Sequence, residues 1–203
     1  MIKVVIFDYG GVIKDGHNLK EDIPIIYDIS KEEIKKAENK TEPIFTEFEK
    51  GALDERKFWQ KLSNALGKSV PNNCIELSRK IYDETFVFFP EMIDLIKELR
   101  MKGIMTVVLS NILNFQAEII REKGGYENFD MTILSYEEKL NKPELDFYVL
   151  AVKRLKIKPE ECIFIDDKEK NLPPAKNIGM KTILFENPKQ AIEEIFLIIN
   201  SEK

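Results

Sequence analysis

Residues 2–13 read Ile2-Lys3-Val4-Val5-Ile6-Phe7-Asp8-Tyr9-Gly10-Gly11-Val12-Ile13. The apolar run is the length of one buried strand, and it ends on a carboxylate followed by two glycines, which let backbone approach a ligand closely. An Asp in such a place serves equally well as a turn former or a helix cap. Its meaning therefore depends on the rest of the chain.

Further β-type runs follow at residues 106–109, 131–134 and 162–165, with a fourth candidate at 181–185. Between them apolar residues recur at helix spacing, as in Met92, Leu95, Ile96 and Leu99, then Phe147, Leu150, Ala151 and Leu155. Strand and helix alternate, so right-handed crossovers and an α/β fold are expected: a doubly wound parallel sheet with helices on both faces and ligand chemistry at the strands' carboxyl ends. Pro90, Pro143 and Pro188 each stand where a helix could begin, and Gly103 where one could stop.

Residues 16–86 interrupt the alternation with helical patterns and no evident parallel strand. The clearest is 54–66, where Phe58, Leu62 and Ala65 share a face and Asp54 can cap the start. The expected organisation is a core of residues 1–15 and 87–203 with an inserted α-helical cap at 16–86. Phe45, Phe48 and Trp59 of this region, and Phe88 just beyond it, read as core aromatics rather than as a substrate platform.

At 203 residues the chain holds one domain with a modest insertion, and 43% hydrophobic with 33% charged residues is too apolar for disorder. A formal net charge of −5 leaves no basic field for nucleic acid or an anionic membrane. No secretory leader or membrane-length apolar run is read, and two cysteines make no disulfide framework, so a cytoplasmic enzyme is expected. Cys162, inside an apolar strand, reads as a buried small hydrophobe.

Polar residues mark the other strand ends. Ser110-Asn111 follows the second run and can be an N-cap or a donor pair; Asn141-Lys142-Pro143 puts a lysine before a helix start. Phe164-Ile165-Asp166-Asp167-Lys168-Glu169-Lys170-Asn171 brings two adjacent carboxylates out of the most apolar strand. A solvated, capped loop is one reading of that pair; a bound cation is the other, because adjacent like charges repel without one.

Asp8, Ser110, Lys142 and Asp166-Asp167, in that order at successive strand ends, resemble the four motifs of the haloacid dehalogenase superfamily, whose core is Rossmann-like. Residues 164–183, with Asn171, Pro174-Ala175 and Ile178-Gly179-Met180, look like the phosphatase domain of soluble epoxide hydrolases and related bacterial sugar-phosphate phosphatases. The resemblance implies that Asp8 attacks phosphorus to form an aspartyl-phosphate. It implies a magnesium ion held by Asp8, the Gly10 carbonyl and Asp167, with Asp166 beside it or one shell out. Ser110, the Asn111 N–H and Gly11 would meet the phosphoryl oxygens, and Lys142 would neutralise charge on Asp8 and a small phosphorylated substrate.

One position departs from that pattern. Most phosphatases of the superfamily carry a second Asp two residues after the nucleophile as general acid; here it is Gly10. The resemblance then favours a substrate with a good leaving group, a sugar 1-phosphate first. Asp15, His17 or a cap carboxylate are alternative acids, with His17 otherwise reading as a plain surface histidine. Two rival functions stay open: a metal-independent 2-haloacid dehalogenase, and a quiet member that binds a phosphorylated ligand or a protein.

Overall fold

The computed structural model describes residues 1–201. Its sheet has five parallel strands: β1 (Val4–Phe7), β2 (Met105–Ser110), β3 (Met131–Leu134), β4 (Cys162–Asp166) and β5 (Lys181–Leu184), ordered β3-β2-β1-β4-β5. The four β1 residues are closed to solvent on both faces, which explains why that run is uninterrupted in its hydrophobicity. Phe7 is level with Val108 of β2 and Ile165 of β4. The residues immediately beyond these strands are thereby brought to one edge of the sheet, beside the point where chain order reverses around β1.

Strand alternation sends side chains into two separate cores. Val5, Phe7, Val108, Ile163 and Ile165 belong to one cluster; Val4, Ile6, Val107, Leu109 and Phe164 belong to the other. The second is covered by α8 (Leu145–Leu155) and α9 (Leu172–Asn177) through Phe147, Tyr148, Ala151 and Ala175. The first is covered by α5 (Pro90–Met101), α6 (Asn114–Glu122) and α10 (Pro188–Ser201). Pro90 and Pro188 open their helices as expected. Pro143 does not: it sits in a turn after a cis Lys142–Pro143 peptide, and α8 begins at Leu145.

Between β1 and α5 lie four helices: α1 (Leu19–Tyr27), α2 (Lys31–Glu49), α3 (Glu55–Leu66) and α4 (Cys74–Glu84). Local chemistry sets their ends. Ser30 and Glu33 form a reciprocal capping box on α2; Asp54 caps α3, and Gly67 ends it in the left-handed region at φ 66°. Phe48 stacks on Phe58 at 4.2 Å and lies 6.5 Å from Phe115 of α6, so the aromatic faces of these helices join the first core cluster. Phe45, Phe48 and Trp59 are buried in it, while Phe88 is half-buried.

Segments entering and leaving the four helices run side by side. Phe89 N–H donates to the Ile13 carbonyl at 2.9 Å and Asp15 N–H to that of Val87 at 2.9 Å. A short α7 (Ser135–Glu138) follows β3 and touches the end of α2. No helix among the described residues is long and apolar enough to cross a membrane.

Candidate active site

Asp8 follows the last residue of β1, and its backbone N–H continues the sheet by donating to the Ile165 carbonyl at 2.8 Å. Its carboxylate is almost closed to solvent. Oδ1 accepts from the Tyr9 N–H at 2.7 Å and the Ser110 hydroxyl at 2.9 Å, and stands 2.9 Å from Lys142 Nζ. Oδ2 accepts no hydrogen bond among the described residues. One oxygen is thus held by three donors, and the other is left for chemistry.

Lys142 is fully buried between two carboxylates, 2.6 Å from Asp166 Oδ2 as well as 2.9 Å from Asp8. Burial works against its charge, but Asp166 and Asp8 together more than offset that, and its pKa lies above the ordinary lysine value. The lysine is fixed by Asn111, whose side chain accepts from the Lys142 N–H at 2.7 Å and donates to the Lys142 carbonyl at 2.9 Å. This two-point clamp was not legible in the sequence, where Asn111 was read as an N-cap or as a donor to phosphate.

Asp166 is committed to holding the frame. Its second oxygen, Oδ1, accepts from the Lys168 N–H and the Asn171 amide, each at 2.9 Å. Asp167 is different: Oδ1 is buried without a hydrogen-bond partner among the described residues, and burial, then the neighbouring Asp8 charge, push its carboxyl up to about 6. Carboxylate oxygens of Asp8, Asp166 and Asp167 lie within 4.8 Å of one another. The Gly10 carbonyl stays outside the turn's own bonds, which run through the Tyr9 carbonyl and the Gly11 N–H. An orphaned oxygen among hard acidic ligands is the donor set a divalent cation such as magnesium takes.

The two glycines have unlike surroundings. Gly11, at φ 84°, lies so close to Asp167 that a Cβ there would come within 2.5 Å of Oδ2. Its absent side chain makes room for the acidic pair. The sequence expects Gly11 to meet substrate; the structure places it against the Asp167 carboxylate. A Cβ on Gly10 would meet nothing within 4 Å.

A cavity of about 500 Å³ opens in front of Asp8, bordered at its base by Gly10, Ser110, Asn111 and Lys142. From the helical segment it receives Glu49 and from the hinge Lys14 and His17; the sequence offered His17 as an alternative acid and a cap carboxylate without a number, and did not point to Lys14. His17 is no plain surface histidine: Nε2 bonds the buried Asp22 carboxylate at 2.7 Å and Nδ1 lies 3.6 Å from Glu21, with the side chain 18% exposed. Lys14 is buried beneath the rings of Tyr82 and Phe86, 4.9 and 5.6 Å from their centroids, and burial lowers its pKa to about 8.

The family model for haloacid dehalogenase-like hydrolases matches residues 2–179. Among curated proteins, bifunctional epoxide hydrolase 2 of Rattus norvegicus is 30% identical over 145 residues, 67% of this chain. D-ribitol-5-phosphate phosphatase of Bacteroides thetaiotaomicron is 28% identical over 99% of this chain and 100% of its own length. The chain spans only 10% to 26% of the length of the first relatives it matches. A HAD family enzyme from Bacteroides thetaiotaomicron, solved with magnesium and inorganic phosphate, superposes with a TM-score of 0.72 at 26% identity, covering 90% of this chain and 93% of that one.

Proposed function

The chain belongs to the haloacid dehalogenase-like hydrolases, and on that premise we propose that it is a magnesium-dependent phosphatase of a small phosphorylated metabolite, with Asp8 as nucleophile. The observation that carries this reading is the pairing at Asp8, which borders the cavity: one oxygen is pinned by Ser110, Tyr9 and Lys142, and the other accepts no hydrogen bond among the described residues. Residues 16–86 act as the cap on a core of 1–15 and 87–203.

Asp8, Asp167 and the Gly10 carbonyl would hold the magnesium ion, with Asp166 behind them, and the ion would draw off negative charge from the bound phosphoryl group. The neighbours named by the comparisons support both the metal and the substrate class. Asp8 Oδ2 attacks phosphorus while the three donors on Oδ1 keep the carboxylate in line, which divides the displacement into two easier steps. Ser110 and Lys142, already at bonding distance from Asp8, offer hydrogen bonds and charge to the transferring oxygens. Asp166 holds the Lys142 ammonium in place, and Asn111 holds its backbone.

Gly10 contributes no carboxyl to protonate the departing oxygen. A phosphate with a good leaving group, a sugar 1-phosphate first, is the substrate that this half of the site handles unaided. The testing experiment measures phosphate release from para-nitrophenyl phosphate and a panel of sugar phosphates, with magnesium and with EDTA, for wild type and Asp8→Asn. Magnesium-dependent turnover lost in the variant is the expected result. Chloride release from 2-chloropropionate without metal, and no phosphate release, would replace this reading with dehalogenation.

A further inference from the structure

Among the described residues, four carboxylates border the cavity: Asp8, Glu42, Glu49 and Glu144. Glu42 is paired with Lys20 at 2.5 Å and Glu144 with Lys50. Glu49 alone, apart from the nucleophile, has a place in the cavity and no assigned work. It forms no ion pair with a lysine or arginine among the described residues. Its Oε2 receives only two long hydrogen bonds, 3.4 Å each, from the side-chain amides of Asn111 and Asn141. Asn111 directly follows Ser110 and Asn141 directly precedes Lys142, so Glu49 is hydrogen-bonded to the chain neighbours of both groups that hold Asp8.

Its position is fixed by the backbone as well. The Glu49 carbonyl accepts from the Ser135 hydroxyl at 2.7 Å, and the same Ser135 oxygen accepts from the Ile112 N–H at 2.9 Å. The end of α2 is therefore tied to the loop that leaves β2. Around the carboxyl, Lys20 of α1 and Lys168 beyond β4 are the nearby cations and Glu42 the nearby anion; burial outweighs them and raises its pKa above the usual glutamate value.

The other candidate acids are disposed of by geometry. Asp15 does not border the cavity, and both ring nitrogens of His17 are turned to carboxylates of α1. We propose that Glu49 is the catalytic acid and base that replaces the carboxyl missing at Gly10. As Asp8 Oδ2 bonds to phosphorus and the ester P–O bond breaks, the leaving oxygen takes the Glu49 proton and departs as an alcohol. The resulting carboxylate then takes a proton from water as that water's oxygen attacks the aspartyl-phosphate. Inorganic phosphate leaves, the Asp8 carboxylate returns, and Glu49 is protonated again. The substrate class accordingly widens to phosphates of ordinary alcohols, such as polyol and sugar 6-phosphates.

This assignment rests on the phosphatase reading, and one experiment separates the two. Wild type, Glu49→Gln and Glu49→Gln/Gly10→Asp are assayed with magnesium on para-nitrophenyl phosphate and on a polyol phosphate, after thermal melts confirm folding. In Glu49→Gln, kcat/KM on the polyol phosphate is expected to fall by about 10²–10⁴. On the aryl ester, whose leaving group needs no proton, kcat/KM falls less than about tenfold, and a burst of para-nitrophenol precedes slow turnover because the aspartyl-phosphate waits for its base. The alkaline limb of the wild-type polyol profile disappears. Gly10→Asp, entering open space, recovers at least about tenfold of the loss. Equal losses on both substrates with no burst, or no loss on either, would overturn the assignment to Glu49 alone; a wild type inert on both phosphates overturns the phosphatase reading and this one with it.

Discussion

Lys142 Nζ and Asp8 Oδ1 lie 2.9 Å apart with the lysine side chain wholly closed to solvent and the aspartate 6% exposed. A buried pair of this kind is strongly coupled, and removing one partner strands the other. Lys142→Met should therefore cost about 3–5 kcal/mol of stability, because Asp8 and Asp166 are left facing each other. Its raised pKa keeps the lysine charged from below its unfolded value up past it, so this contribution holds throughout neutral pH and is lost only on strong alkalinisation. Urea titration at neutral pH checks the magnitude.

Asp167 carries the opposite imbalance. Burial and the Asp8 charge push its carboxyl from the ordinary 3.8 up to about 6, so the cost of ionising it in the fold appears as pH rises from the lower value through the higher and is complete above. Magnesium should relieve that cost only where Asp167 is ionised. Thermal melts should show magnesium raising Tm at pH 7.5 and much less at pH 5, and Asp167→Asn should flatten the difference. An equal shift at both pH values would place the ion elsewhere.

Lys14 offers a test of burial against charge. Its pKa of about 8 lies below the ordinary lysine value, so the penalty for holding the ammonium is present below pH 8 and fades as pH climbs toward 10.5. Lys14→Met should stabilise the fold at pH 7 by about 1–3 kcal/mol, and by less at pH 10. Equilibrium unfolding at the two values decides it; destabilisation at pH 7 would mean that the Tyr82 and Phe86 rings hold the cation more firmly than water does.

The two glycines should separate cleanly. Gly11→Ala puts a methyl 2.5 Å from the Asp167 carboxylate at a backbone angle that favours glycine, and should cost about 1–3 kcal/mol and weaken magnesium binding at least tenfold. Gly10→Ala, with open space and no positive φ, should leave both nearly unchanged. Calorimetric titration of magnesium into the two variants compares them directly.

Much of the frame was legible because β1, β2 and β4 are short apolar runs that give way to a polar residue. Asp8, Ser110 and Asp166 announce themselves by standing where hydrophobicity stops, and a run buried on both faces can only be a central strand. Lys142 lacked such a marker and was found through its order among the other motifs. Pro143 misled, since its fixed φ suits both a helix start and the turn it occupies. Glu49 and Lys14 carried no signal: α2 has charged residues all along it, and nothing local says which of Glu42, Glu47 and Glu49 is paired outward and which faces the cavity.

Sequence alone determined the alternation of strand and helix, the parallel sheet and the set of strand-end residues, because periodicity and burial are local consequences of side-chain chemistry. Tertiary structure decided which oxygen of Asp8 is held, that Asp166 is spent on Lys142 while Asp167 keeps an orphaned oxygen, and that His17 is bound to Asp22. It alone brought Glu49 over the site. These depend on contacts between residues up to 134 positions apart, as between Asp8 and Lys142, and such contacts exist only once two cores have packed against both faces of one sheet.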